Sequence, residues 1–241
     1  GESVVVLDNL WTGHRAALPG SVPFYEGDVR DAALLDKIMG EHPVEAVVHF
    51  CACSLVGESV ERPLRYFNNN VYGMQVLLEA MERHGLDRIV FSSSASVYGE
   101  PKRVPIMEDD ETLPTNPYGE TKRMMERMMH WVGLRHGIRY VSLRYFNVAG
   151  ARKDGSIGED HRCETHLVPI ILQVPLGRRT HVTIFGDDYP TPDGTCIRDY
   201  VHISDLADAH LRALDHLRGG GEGGIFNLGS GDGYSVRAMI E

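Results

Sequence analysis

No stretch of the 241 residues approaches the roughly 20 consecutive apolar residues that a membrane-crossing helix needs. The opening GESVVVLDN also lacks a basic-then-apolar leader pattern. Cysteine is scarce. Of the four, only Cys51 and Cys53 are neighbours, and alternate residues at a strand end send their thiols to opposite faces, which suits neither a mutual disulfide nor a shared metal. Reduced thiols and a cytoplasmic setting are the expectation. Basic residues are outnumbered, 24 Lys and Arg against 34 Asp and Glu, and the formal net charge of −10 argues against nucleic acid or an anionic membrane as a general partner. Any phosphate must therefore be held locally. The run HRCETH (His161 to His166) crowds two His, a Cys and a Glu together. Its spacing matches no zinc pattern and has no second ligand pair nearby, so no metal is expected.

What is present is an ordinary globular composition, 42% hydrophobic and 24% charged, enough for a sizeable core. Short β-branched runs (SVVVLD, VPFYEGD, EAVVHF, RIVFSS, RYVSLRYFN) alternate with helical stretches at residues 31–39, 63–84 and 118–136. That alternation predicts an α/β fold, a Rossmann-like doubly wound parallel sheet with helices on both faces. Asp31 is a natural N-cap for the first helix, and Gly137 stops the third. After Asn147 the pattern loosens into Gly-, Pro- and Asp-rich loops with helices near 166–176 and 204–217. Residues 1–146 are expected to form a nucleotide-binding domain and 147–241 a smaller substrate-binding lobe, whose long polar loops suit recognition.

Three strand ends point to a dinucleotide. VVVLDN puts Asp8 at the carboxyl end of a buried strand, where such an acid hydrogen-bonds an adenosine ribose. A simple cap is the bland alternative for one acid. GDVRD then places Asp28 at the next strand end, and HFCACS closes a third with small side chains that let a flat cofactor approach the backbone. The glycine-rich loop that precedes the ribose acid by about 20 residues in such folds is expected upstream of Gly1, so the chain reads as starting at the second strand.

NPYGETKRMME carries Tyr118 and Lys122 four residues apart on one face of a helix. A phenol titrates near 10, too high for a base at neutral pH. An ammonium one turn away and the positive end of the helix both favour the phenolate, so the pair makes a poised proton acceptor. Just upstream, FSSSASVYG ends a strand with serines, and the Ser94 hydroxyl is placed to orient the same substrate oxygen. Alone, Y-x-x-x-K is weak and equally an exposed helix start. With three cofactor-compatible strand ends it becomes the better reading. Met125 and Met129, further along that face, are read as core or helix-pairing surface rather than as a ligand box.

With LDNLWTG, EGDVRD, VVHFCA, FSSSASVYG, NPYGETK, LRYFNVAGA and IFGDDYPTPDGTCIRDYVH together, the chain resembles the extended short-chain dehydrogenase/reductase family, and within it the branch that epimerises nucleotide sugars. The resemblance covers essentially the whole chain and implies tightly held NAD, a UDP-hexose substrate inverted at carbon four (UDP-glucose to UDP-galactose) and a homodimer through the helices at 63–84 and 118–136. Related UDP-sugars (N-acetylated hexosamine or pentose) and an inactive fragment are the alternatives. Carried over by motif, the cofactor residues would be Asp8, Asn9, Asp28, Val29, Phe50, Cys51, Ala52, Ser54, Asn69 and Phe146, with Tyr118 and Lys122. On the substrate side stand Ser94, Tyr118, Asn147, His166, Leu167, Thr183, Ile184, Phe185 and Arg198. An arginine suits a diphosphate because its fork donates two bonds and keeps its charge. The alternative for Arg198 is an ion pair with Asp199 or Asp205. Ser54 and His166 depart from the family, where lysine and asparagine are common.

Overall fold

Short parallel strands frame the first part of the chain in a computed structural model that describes residues 2–241. β1 (Val6–Asp8) and β2 (Phe24–Glu26) pair in parallel, with Val6 opposite Phe24. α1 (Ala32–Glu41) follows, capped by Asp31, whose carboxylate accepts the Leu34 amide at 3.0 Å. β3 (Val47–His49) leads through α2 (Val56–Glu61) and α3 (Pro63–Tyr66) into a π-helical turn at Phe67–Tyr72, which continues directly as α4 (Gly73–Arg83). β4 (Arg88–Ser92) runs parallel to β3, and its last four residues are buried, as a strand covered on both faces requires.

α5 (Pro117–His136) begins with an Asn116 cap that accepts the Gly119 amide at 2.9 Å, takes Pro117 in its first turn, and stops at Gly137, whose φ of 73° is left-handed. β5 (Arg139–Tyr145) lies parallel to β4. Beyond it come β6 (Asn147–Ala149), α6 (Leu167–Gln173), β7 (Ile197–His202), α7 (Ile203–Arg218), β8 (Gly224–Leu228), β9 (Gly233–Ser235) and α8 (Val236–Ile240). Three sheets result, in the orders β1-β2, β3-β4-β5-β8 and β6-β7-β9. The expected strands and helices are all present, the strands shorter than their apolar runs.

The chain divides into two compact units, one containing residues up to Arg144 and 209–227, the other 145–208 and 228–241. In the first, Met74, Leu77, Leu78 and Met81 of α4, Leu35 of α1, Ile89 and Phe91 of β4, and Met125 and Met129 of α5 form one apolar cluster. Met125 and Met129 are fully buried, so the reading of both as core holds. The second unit is built on β6 parallel to β7, with β9 antiparallel on the other side of β7. Among the described residues no helix is long and apolar enough to cross a membrane.

Candidate active site

Lys122 is buried, 3% exposed, one turn into α5. Its ammonium donates to the Ser92 carbonyl at 2.7 Å, which ties α5 to the serine-tipped end of β4. The same nitrogen lies 5.8 Å from the Tyr118 ring centroid and 4.9 Å from that of Phe91. The exposed-helix alternative for the Tyr118–Lys122 pair is therefore excluded. Burial pushes the Lys122 ammonium down to about 8, against the opposing pull of Cys51 and Glu126. At neutral pH it still carries its charge.

Ser94 is buried and opens a short 3-10 turn (Ala95–Tyr98), its hydroxyl accepting the Ser96 amide at 3.2 Å. Gly119 explains how α5 reaches this turn. A Cβ there would stand 2.5 Å from the Ser96 carbonyl oxygen, so only glycine lets the first turn of α5 close on the serine tip. Tyr118, Ser94 and Lys122 are thus gathered by two contacts, Gly119 on Ser96 and Lys122 on Ser92.

Beneath this corner lies a buried ionic network that motif reading missed. Glu126, one turn after Lys122, accepts the Ser93 hydroxyl at 2.5 Å and a two-pronged contact from Arg144, at 2.9 Å and 2.6 Å. Arg144 also donates to the Tyr98 hydroxyl at 2.8 Å, and Tyr98 donates to Asn227 at 2.7 Å. Every charge in the cluster is paired, which is the condition for tolerating it in a core.

The strand ends of the first unit converge as well. Loss of hydration, then the Asp28 and Asp8 carboxylates, push the Cys51 thiol up to about 11, while Lys122 opposes them. Asp8 caps its own loop, accepting the Leu10 amide at 2.6 Å, and Leu10 takes a φ of 54° to make the bond. A side chain at Gly13 would sit 3.3 Å from Asp8 Oδ1, so its absence leaves room above the carboxylate. Asp28 is gripped by Arg30, with Nε at 2.7 Å and Nη2 at 2.6 Å, which holds its carboxyl down to about 2. Asn9 reaches the same carboxylate at 3.5 Å, and Arg30 also contacts Asn68. Val29 is buried behind them and Phe50 is exposed, its ring 4.6 Å from that of His210.

The loop after β3 is clamped by a residue that the sequence reading passed over. Asn70, 1% exposed, accepts the Cys53 amide at 2.8 Å and donates to the Cys53 carbonyl and to Thr121 Oγ1, both at 3.0 Å. Asn69 donates to Asn70 at 3.0 Å. Both asparagines lie in the π-helical turn, a distortion frequent at functional sites. The clamp fixes the backbone of this loop at Cys53. His49, at the end of β3, is buried with its ring 5.9 Å from that of Phe91, and burial followed by the charge of Lys122 holds its imidazole down to about 3.

In the second unit, Asn147 donates to the Asp199 carbonyl at 3.1 Å, across the β6–β7 pair. Asp199 accepts the Ser230 amide and hydroxyl, both at 2.8 Å, and Gly231 N–H at 3.2 Å. A Cβ on Gly229 would meet both the Asp199 carboxylate, at 2.4 Å, and Phe146, at 3.4 Å. Arg198 pairs with neither Asp199 nor Asp205; among the described residues it donates only to the Ile197 carbonyl, at 2.8 Å. The ion-pair alternative for Arg198 is thereby overturned, because Asp199 is occupied by the Ser230 loop. His166 caps α6 and Leu167 is its first residue, while Thr183, Ile184 and Phe185 occupy an irregular loop with Phe185 88% exposed.

Comparison with known proteins gives a consistent result. The sequence pattern of the "NAD dependent epimerase/dehydratase family" matches residues 1–229. A UDP-glucose 4-epimerase of Halalkalibacterium halodurans is 57% identical over 241 residues, which is 100% of this chain and 72% of that protein. The crystal structure of a UDP-glucose 4-epimerase from Brucella ovis in complex with NAD superimposes with a TM-score of 0.95 at 47% identity, covering 98% of this chain and 72% of that one. One from Bifidobacterium longum, in complex with NAD+ and UDP, does so with a TM-score of 0.90 at 40% identity, covering 98% and 73%. The chain belongs to the NAD dependent epimerase/dehydratase family.

Proposed function

We propose that the protein is an NAD-dependent 4-epimerase that interconverts UDP-glucose and UDP-galactose. The observation that carries this reading is the buried Lys122 ammonium, held on the Ser92 carbonyl beside Tyr118, in a chain 57% identical over its whole length to a protein of that activity. The first unit fits a dinucleotide on its own geometry. The space that Gly13 leaves above Asp8 suits a ribose, and the Asn70 clamp holds a backbone of small residues ready for close approach. NAD supplies the hydride acceptor and donor when bound.

The chain's own residues handle the proton and the substrate. Tyr118 takes the proton of the carbon-four hydroxyl and returns it on the other face of the sugar. Lys122 favours the phenolate by its charge, and Ser94 hydrogen-bonds the reacting oxygen. In the second unit, Asn147, His166, Leu167, the 183–185 loop and Arg198 are the substrate contacts, with the exposed guanidinium of Arg198 suited to a diphosphate. Anchoring the UDP portion while leaving the sugar free to turn over is what inversion by one proton acceptor requires.

Exposed apolar side chains on the helices of the first unit, Leu64 at 81%, Trp131 at 61% and Leu134 at 68%, support a homodimer through α3, α4 and α5. The reduced thiols support a cytoplasmic setting. The test is direct. Purified protein incubated with UDP-galactose should yield UDP-glucose and release NAD on denaturation; preference for an N-acetylated UDP-hexose would overturn the sugar assignment.

A further inference from the structure

In the loop that enters α6, four side chains turn their ligating atoms toward one point. Glu159, His161, Glu164 and His166 each offer one nitrogen or oxygen, and these four atoms all lie within 4.8 Å of one another. The Nδ1 atom of His166 is 2.8 Å from Glu159 Oε1 and 2.9 Å from Glu164 Oε1. That of His161 is 3.4 Å from Glu159 Oε1 and 3.2 Å from Glu164 Oε2. Each carboxylate touches both imidazoles. A tetrahedral ion with ligands at roughly 2.0 to 2.2 Å sets neighbouring ligand atoms about 3.4 Å apart; the four contacts, at 2.8 to 3.4 Å and with Glu164 using a different oxygen for each imidazole, lie at or below that length, and all four ligand atoms fit within 4.8 Å.

Charge makes the same point independently. The Glu164 side chain is 9% exposed and that of Glu159 22%, yet among the described residues neither carboxylate pairs with a lysine or arginine. Imidazoles are the only nitrogen bases these two carboxylates meet there, and a divalent cation seated among the four would balance the carboxylate charge. The donor set also has support behind it. Glu164 accepts the amides of Thr165 at 2.9 Å and His166 at 2.8 Å, which fixes the carboxylate's orientation as outer-shell partners do in metal sites. Cys163, which lies inside the same run of sequence, is not part of the quartet; Glu159, four residues before it, is.

We propose that Glu159, His161, Glu164 and His166 form a site for a divalent transition ion of the zinc class, which fastens the loop entering α6. Two imidazole nitrogens and two carboxylate oxygens suit Zn²⁺; Mg²⁺ and Ca²⁺ demand six or more ligands, mostly oxygen. Four protein ligands close the coordination shell, so the ion is structural and takes no part in proton transfer. By holding His166, the cap of α6, it fixes where that helix starts.

The test uses untagged protein, stripped with EDTA, freed of chelator and titrated with Co²⁺ and then Zn²⁺. One equivalent of Co²⁺ should give the intense visible absorption of four-coordinate cobalt, bleached by one equivalent of Zn²⁺, and Zn²⁺ should raise the Tm. Glu159→Gln and His161→Ala should each weaken binding by more than tenfold, whereas His181→Ala, outside the quartet, should leave it unchanged. Glu159→Gln is a near-isosteric change at the edge of the cluster and keeps the test valid if His161→Ala misfolds. Absence of a tight equivalent, a six-coordinate cobalt spectrum, or equal binding by Glu159→Gln and wild type would overturn the site.

Discussion

The two units solve different problems with the same chain. In the first, charged and polar groups are sunk into the core: Lys122, Glu126, Arg144, Asn69 and Asn70 are all buried. In the second, only Val201, Leu206 and Thr195 are buried among the described residues, and neither α6 nor α8 buries any side chain. A buried polar group must meet its partners at fixed distances or cost about 1 to 3 kcal/mol, so burial is a way of holding atoms in place. The unit proposed to do proton chemistry is the one that holds them. The unit proposed to recognise the substrate keeps its contacts on loops, where they adapt.

This contrast can be broken or sharpened by substitution. The largest effect is expected for Tyr118→Phe, which should lower turnover by on the order of 10²- to 10⁴-fold while leaving the thermal midpoint and NAD content at wild-type values. A coupled assay with parallel calorimetry checks it, and a mutant that melts early would make Tyr118 structural. Next comes Glu126→Ala, which strands the Arg144 guanidinium in the core and should cost about 3 to 5 kcal/mol in urea unfolding.

A smaller, pH-dependent effect belongs to His49. Burial keeps its folded-state value at about 3, below the ordinary imidazole value of 6.5 that the unfolded chain retains. Between those values the unfolded state binds a proton that the folded state refuses, so stability falls as pH drops through that window, by up to about 1.4 kcal/mol per pH unit. Urea midpoints from pH 7 to pH 4 should decline less steeply for His49→Gln than for wild type. The smallest effect is predicted in the second unit. Phe185→Ala removes a side chain that is 88% exposed and should change stability by no more than about 0.5 kcal/mol, with any effect confined to KM; a loss comparable to that of Glu126→Ala would erase the contrast.

Local chemistry was legible in the sequence, and long-range chemistry was not. Asp31, Asn116 with Pro117, and Gly137 announce helix ends because each acts on backbone groups within four residues. The Tyr118–Lys122 pair is legible for the same reason, one helical turn apart. Glu126 and Arg144 escape notice because their partners come from separate elements, and Asn70 because its partners, Cys53 and Thr121, lie 17 and 51 residues away. The return of residues 209–227 to the first unit has no local signature either. The pattern of buried positions on α7, Leu206, His210, Ala213, Leu214 and Leu217, marks an apolar stripe but not the surface that receives it.

The π-helical turn at Phe67–Tyr72 also sets the phase of everything after it. Each residue advances an α-helix by about 100°, whereas a π-turn closes its bonds one residue further on, so tightening those six residues to ordinary winding without losing one would rotate α4 by roughly that angle about its axis. Met74, Leu77, Leu78 and Met81 would leave the cluster they fill, and Asn70 would swing off Cys53 and Thr121. Winding is thus a functional quantity in this stretch: the segment between Tyr66 and Gly73 cannot tighten to an ordinary helix while it keeps all six residues without turning the apolar face of α4 away from its partners.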